Sequence, residues 1–305
     1  MAQYSIGVDL GGTNLRAAAI TLDGQVLSRI VGRAQLTHGR DAVVDDLVSS
    51  IQKLEDEFGA SKLLGVGVCV PGYILIEKGQ ILGSNNMPEF ENFPIRDVIE
   101  QKLGTRVVLE NDANAAALGE QWMGAGRGVE DLVMITLGTG VGGGIISHGK
   151  ILHGFLGMAG ELGHMTVDPN GSPCGCGNQG CLEKHASATA ITAMAHLMHL
   201  GNGTLLTSEE VYQMALQGDE KAKKIFEIVG RSLGIAIANL INIFNFPLYL
   251  LSGGPLPAWD MFAPAMLAEV QRRAFPYRYA PTRVERAILG SEAGLFGAAH
   301  LGGGQ

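Results

Sequence analysis

The chain has 305 residues, and its 22 Lys and Arg against 30 Asp and Glu give a formal charge of −8. Apolar residues make up 46% and charged residues 17%, which excludes a disordered chain, and an acidic balance without a Lys/Arg run argues against a nucleic-acid binder. The 44 Gly are roughly twice the average share and follow no every-third period, so the excess is not collagen-like.

The length suggests two domains. The first half alternates strands and helices. Strands are expected at 5–10, 15–20 and 25–31, the last two joined by the hairpin signal Asp23-Gly24. Apolar residues at 43, 44, 47, 48, 51, 54 and 58 predict a helix over 41–58. A buried strand at 63–70 closes on Pro71-Gly72, a short helix follows at 95–103, a strand at 106–109 and an Ala-rich helix at 111–123. The second half restarts with strands at 131–137 and 144–147, then turns helical at 186–199, 208–216, 221–244 and 259–273. A strand at 248–251, a late strand at 283–289 and a terminal helix complete it. The expected domains are 1–110 and 111–290, with the helix at 291–301 returning to the first.

The N-terminus has no basic region before an apolar run, so no signal peptide is expected. The uncharged stretch 233–251 resembles a membrane span, but it contains Asn239, Asn242, Asn245 and Pro247. These are costly in lipid, and the stretch reads better as a helix ending near Phe244 followed by a buried strand. Four Cys are too few for a secreted disulfide scaffold, so a reducing, cytoplasmic setting without membrane contact is expected.

Two glycine-rich turns join strands. One is Asp9-Leu-Gly-Gly-Thr-Asn-Leu-Arg16 and the other Leu137-Gly-Thr-Gly-Val-Gly-Gly-Gly144. Glycine permits positive φ and close approach of N–H groups to a phosphate. Thr13 and Thr139 add hydroxyl donors, and Asp9 at a strand end suits Mg²⁺ held through water. Gly138, Gly140 and Gly143 fit G-x-G-x-x-G, but a strand follows where the dinucleotide fingerprint needs a helix. Neither turn is a Walker P-loop. Each alone reads equally well as a tight β-turn. Ser252-Gly253-Gly254 past the strand at 248–251 leaves room for a base or ribose.

Asn111 and Asp112 stand where a strand passes into a helix. Capping explains them by itself, and an Asp at a sheet's carboxyl edge also suits general-base work. Cys174, Cys176 and Cys181, with His164 ten positions earlier, make a Cys₃His set suited to structural Zn²⁺. Buried thiols and an iron–sulfur site are the alternatives, the second normally wanting a fourth Cys. Cys69 reads as a small core residue. Glu161 and Glu183 flank the set, either as plain surface acids or as rigid hydroxyl-binding groups.

Together these motifs resemble the ROK family of sugar kinases and repressors over nearly the whole chain. The most specific part is Gly-Glu-Leu-Gly-His at 160–164 followed by Cys-x-Cys-Gly-x-x-Gly-Cys-Leu-Glu at 174–183. The resemblance implies a two-domain α/β fold of the actin-like ATPase (ribonuclease H-like) type, with ATP and sugar in an interdomain cleft. It implies ATP-dependent phosphorylation of the glucose C6 hydroxyl, with Asp112 as base. Gly72, Asn86, Asn111, Glu161, His164 and Glu183 then match sugar contacts. Gly11, Gly12, Thr13, Thr139 and Gly140 match the phosphate loops, and Gly253 and Gly254 the adenosine side. His164, Cys174, Cys176 and Cys181 match zinc ligands. A homodimer is expected from the resemblance alone. The family often has Gly-Trp after Asn86-Met-Pro88, and this chain has Glu89-Phe90. Other hexoses, such as N-acetylmannosamine, N-acetylglucosamine, mannose or allose, share much of the same hydroxyl pattern; polyphosphate as donor is left open, although no basic channel favours it. Repressors of the family carry a helix-turn-helix ahead of the first phosphate motif, for which a motif starting at residue 9 is expected to leave no room.

Overall fold

The computed structural model describes residues 2–84 and 86–304. They fall into two compact units. The first comprises the chain up to Glu130, then Gly144–Gly160, and then everything from Ile288 on. The second comprises Asp131–Gly143 and Glu161–Ala287.

In the first unit β1 (Tyr4–Leu10), β2 (Asn14–Thr21) and β3 (Val26–Arg33) form an antiparallel meander. Helix α1 (Arg40–Phe58) leads to β4 (Leu63–Val70), which pairs in parallel with β1. A small hairpin, β5 (Tyr73–Leu75) and β6 (Gln80–Gly83), precedes α2 (Ile95–Leu103). Then β7 (Val107–Asn111) joins β4 in parallel and runs without a loop into α3 (Asp112–Met123). The sheet order is β3-β2-β1-β4-β7. Alternation sorts its two faces. Ile6, Val8, Leu10, Val66 and Val68 pack with Val43, Val44, Leu47, Ile51 and Leu54 of α1.

The second unit opens with β8 (Leu132–Leu137) and β9 (Val141–Ser147), within which the chain crosses from the second unit back to the first, and β10 (Lys150–Ile151) follows. After the Cys-containing loop come α4 (Glu183–Ala186), α5 (Ala188–Leu197), α6 (Ser208–Leu216) and α7 (Glu220–Phe244). Then β11 (Leu248–Gly253), α8 (Trp259–Arg273), β12 (Arg283–Arg286) and α9 (Ala293–Gly302) complete the chain. The second sheet has the order β10-β9-β8-β11-β12, with β11 parallel to β8 and β12.

By length and composition α7 could cross a membrane. Here Ile225, Phe226, Val229, Leu233, Ile237 and Ile241 are buried in a core shared with α8. Asp219 caps its start, and Asn245, at φ 51, ends it. The helix expected over 186–199 is broken at Ser187, whose hydroxyl accepts the Ala190 N–H and starts α5 afresh. The late strand stops at Arg286, and the hairpin β5–β6 and the short β10 are additions to the expected elements.

Helix α9 lies in the first unit against β1, β4 and α3. This packing consumes glycines. A Cβ at Gly67 would collide with the Ala298 carbonyl, and one at Gly297 with the Ala115 carbonyl. Glycines at these positions therefore permit backbone-to-backbone contact inside this unit.

Candidate functional site

Parallel pairing of β1, β4 and β7 brings their carboxyl ends to one edge. Asp9, Cys69 and Glu110 are in register across the three strands, with Val70 opposite Asn111. Sheet edges of this kind, at strand carboxyl ends, are where α/β proteins bind ligands.

Asp9 faces Arg16 across the β1–β2 pair at 3.6 Å, and Arg16 Nη1 also donates to the Ser291 carbonyl at 2.6 Å. Burial, the largest cause, raises the Asp9 pKa against the pull of Arg16 and the Cys69 thiol. In the turn beyond, Gly11 N–H donates to Asn14 O at 2.9 Å, and Thr13 is exposed. Gly11 and Gly12 have ordinary φ, so left-handed backbone is not why they are glycines. At Gly12 the reason is space, because a Cβ would press on Asn86 at 3.3 Å. Asn86 itself is exposed beside this turn.

Asn111 is the N-cap of α3. Its Oδ1 accepts the N–H groups of Ala113 and Asn114, while Nδ2 donates to Gly72 O at 3.2 Å. Gly72 needs to be glycine, with φ 124 and Ser84 against its missing Cβ. Asp112 is the first helical residue, and its Oδ1 accepts the Ala113 N–H at 2.8 Å. Burial raises its pKa to about 6, with the Asp9 carboxylate adding and the hydrogen bonds from Ala113 and Asn111 opposing. A carboxyl so poised can take a proton near neutral pH.

Sequence reasoning missed the buried acid beside them. Glu110 Oε1 accepts the Asn111 N–H and Asn114 Nδ2, and its Oε2 lies 2.7 Å from His153 Nε2. The 43-residue separation of this pair leaves no local signal.

In the second unit the turn after β8 is held by its carbonyls. Gly138 O accepts the Ala188 N–H at 2.8 Å, and Thr139 O accepts the Thr189 hydroxyl at 2.7 Å. The Thr139 residue itself is exposed. Glu183 Oε2 accepts the Val141 N–H at 3.1 Å and occupies the space a Cβ at Gly140 would need. Gly138 and Gly140 also have ordinary φ. Glu161 is exposed beside His164, and burial raises its pKa, with His164 opposing and Glu183 adding.

The ligand atoms of His164, Cys174, Cys176 and Cys181 all lie within 4.8 Å of one another. Cys176 and Cys181 sulfurs are 3.7 Å apart, and His164 Nδ1 is 3.7 Å from Cys174 Sγ. Thiolates at about 2.3 Å from a tetrahedral ion are about 3.8 Å apart, so donor type and spacing fit zinc. Nε2 of the same imidazole points to Glu161 Oε2, 4.0 Å away. At the end of β11, Gly253 has φ 109 and packs on Leu137, whereas Gly254 opens on free space. Beside it Ile191, Ser208, Tyr212, Phe226 and Pro255 line a shallow crevice.

A glucokinase of Halalkalibacterium halodurans is 35% identical, covering 98% of this chain and 94% of its own. A xylose repressor of Caldicellulosiruptor bescii is 30% identical over 96% of this chain and 76% of its own. Among solved structures, a ROK hexokinase from Thermus thermophilus superposes with a TM-score of 0.89 at 34% identity, covering 98% of both chains. A ROK glucokinase from Streptomyces griseus, in complex with glucose and AMPPNP, does so at 0.81 and 32%, covering 99% of this chain and all of that one. The α/β architecture is thus the actin-like ATPase fold of these enzymes. A model of the ROK family matches residues 5–303, and with these relatives it establishes that the chain belongs to the ROK family.

Proposed function

We propose that this protein is an ATP-dependent hexokinase that phosphorylates the C6 hydroxyl of glucose with Asp112 as general base. The observation that carries the reading is Asp112 itself. It stands at a sheet's carboxyl edge, at the start of a helix, with its pKa raised to about 6. Such a carboxyl is ionised at pH 7 yet basic enough to accept a proton as the hydroxyl oxygen attacks phosphorus. A kinase assignment also agrees with the names of the glucokinase and hexokinase relatives.

The sugar contacts in this reading are Gly72, Asn86, Asn111, Glu161, His164 and Glu183. The N–H groups and hydroxyls at Gly11, Gly12, Thr13, Thr139 and Gly140 hold the phosphates, where donors aimed at developing charge act most strongly. Gly253 and Gly254 take the adenosine side. Asp9 would hold Mg²⁺ through water, and the ion supplies charge neutralisation on the transferring phosphoryl. His164, Cys174, Cys176 and Cys181 would hold structural zinc, which fixes the His164 tautomer so that Nε2 is presented to the sugar. Two copies of the chain form the working enzyme.

The second reading is a sugar-responsive regulator, favoured by the 30% identity to a xylose repressor. The raised pKa of Asp112 favours the kinase over this second reading. Initial rates with ATP and Mg²⁺ over glucose, mannose, allose, N-acetylglucosamine and N-acetylmannosamine decide the matter. The highest kcat/KM is expected with glucose. Preference for another hexose would change the substrate but keep the kinase, and no turnover with any of them, alongside measurable sugar binding, would leave the regulator.

A further inference from the structure

The mechanism uses Asn111 and Asp112 but leaves the preceding acid without a task. Glu110 is 2% exposed, and a buried carboxylate is costly unless it is fully hydrogen-bonded. Its partners are specific. Oε1 takes the Asn111 N–H at 2.9 Å and the Asn114 side-chain amide at 3.0 Å. Oε2 takes His153 Nε2 at 2.7 Å, and this hydrogen bond raises the His153 pKa. His153 follows β10 in a turn closed by the Ala159 N–H on its own carbonyl at 3.0 Å. That turn is seated on the β5–β6 hairpin, because Gly157, at φ 79, leaves no room for a Cβ against Ile74 O. One carboxylate therefore ties the start of α3 to a separate, independently anchored turn.

We infer that the Glu110–His153 pair is a positioning device for the Asn111–Asp112 turn, an inference that rests on the sugar-kinase reading above. Neither residue touches the reacting atoms. Without the imidazole, Oε2 is buried with no donor. A buried carboxylate oxygen left without a donor pulls the side chain toward water, which loosens the grip of Oε1 on the Asn111 N–H. The turn that loosens carries both a sugar contact and the base. Displacing a base by a fraction of an ångström is enough to slow chemistry strongly. The phosphate-binding turns have no part in the pair, so affinity for ATP stays as it was.

The test compares wild type, His153→Ala and His153→Gln, whose amide N–H can still reach Oε2. Each is assayed well below its Tm, with glucose and ATP varied separately, and glucose affinity is measured by calorimetry. H153A is expected to lose about tenfold in kcat and in glucose affinity, with KM for ATP within about twofold of wild type. H153Q is expected to recover most of both losses. If H153A does not fold, Glu110→Gln, which keeps size and removes charge, is expected to show the same split. A variant matching wild type in kcat and glucose affinity, or losing glucose and ATP affinity alike, overturns the inference. A wild-type protein that binds glucose without turning over would sink the kinase reading instead. The calorimetric difference between wild type and H153A would still decide the role of the pair.

Discussion

As the proposed base, Asp112 answers two demands that pull apart: a base must be charged to work, and its site disfavours the charge. Burial raises its pKa from 3.8 to about 6, so the folded chain keeps the proton to higher pH than the unfolded chain does. Stability contributed by this group is therefore present at low pH and lost as pH rises between those two values. Above that window the ionised carboxylate is a standing cost to the fold. Asp112→Asn is expected to raise Tm at about pH 7.5, with the gain shrinking as pH is lowered through the window. Thermal scans at several pH values read this directly, and an unchanged or lower Tm at about pH 7.5 would refute it. The same ionisation predicts that wild-type kcat/KM falls about tenfold per pH unit below about pH 6. Asn111 and Asp112 are legible in the sequence because a cap and the helix start it opens announce themselves by their neighbours. The Glu110–His153 and Arg16–Ser291 contacts are not, since periodicity encodes which face a residue takes and not which distant residue it meets.

Among the elements, the loop from His164 to Glu183 is the most readable, because its three thiols lie within eight residues. Gly180, at φ 65 against Asp168 O, lets the loop fold back, and bridges pair Thr166 with Cys181 and Pro173 with Gln179. If zinc holds this loop, Cys176→Ser should lose the metal by elemental analysis, lower Tm and raise KM for glucose. A metal-free variant with unchanged Tm and KM would contradict that. Helix α9 is legible as a helix, but its reason for glycine is not. Gly67 and Gly297 meet residues that lie far off in sequence, and only the fold says what a Cβ would hit. Gly297→Ala should cost about 2–3 kcal/mol in urea unfolding, as overpacking against a backbone carbonyl does. At Gly83, where a Cβ meets nothing, the same change should stay within about 0.5 kcal/mol.

At the scale of the molecule, strand–turn–strand followed by alternating helices is readable from hydrophobic period alone, and that pattern is enough to put both glycine turns between strands. Less readable is how the chain is shared out. The first compact unit runs on to Glu130 and takes in Gly144–Gly160 and the stretch from Ile288, so α3 and α9 belong with β1 and β4. A sequence boundary is a point, whereas this unit is assembled from three stretches of chain by packing. Membership in a family that holds both glucokinases and repressors sets the central question, which is whether this chain performs chemistry on the sugar it binds. The most direct measurement is hexose 6-phosphate formation from glucose and Mg–ATP by wild type and Asp112→Asn, with glucose binding followed in parallel. Catalysis through Asp112 predicts steady product from wild type and a rate at least ~10²-fold lower from D112N at undiminished glucose affinity. Turnover by D112N at the wild-type rate, or a wild type that binds glucose and transfers nothing, would contradict it.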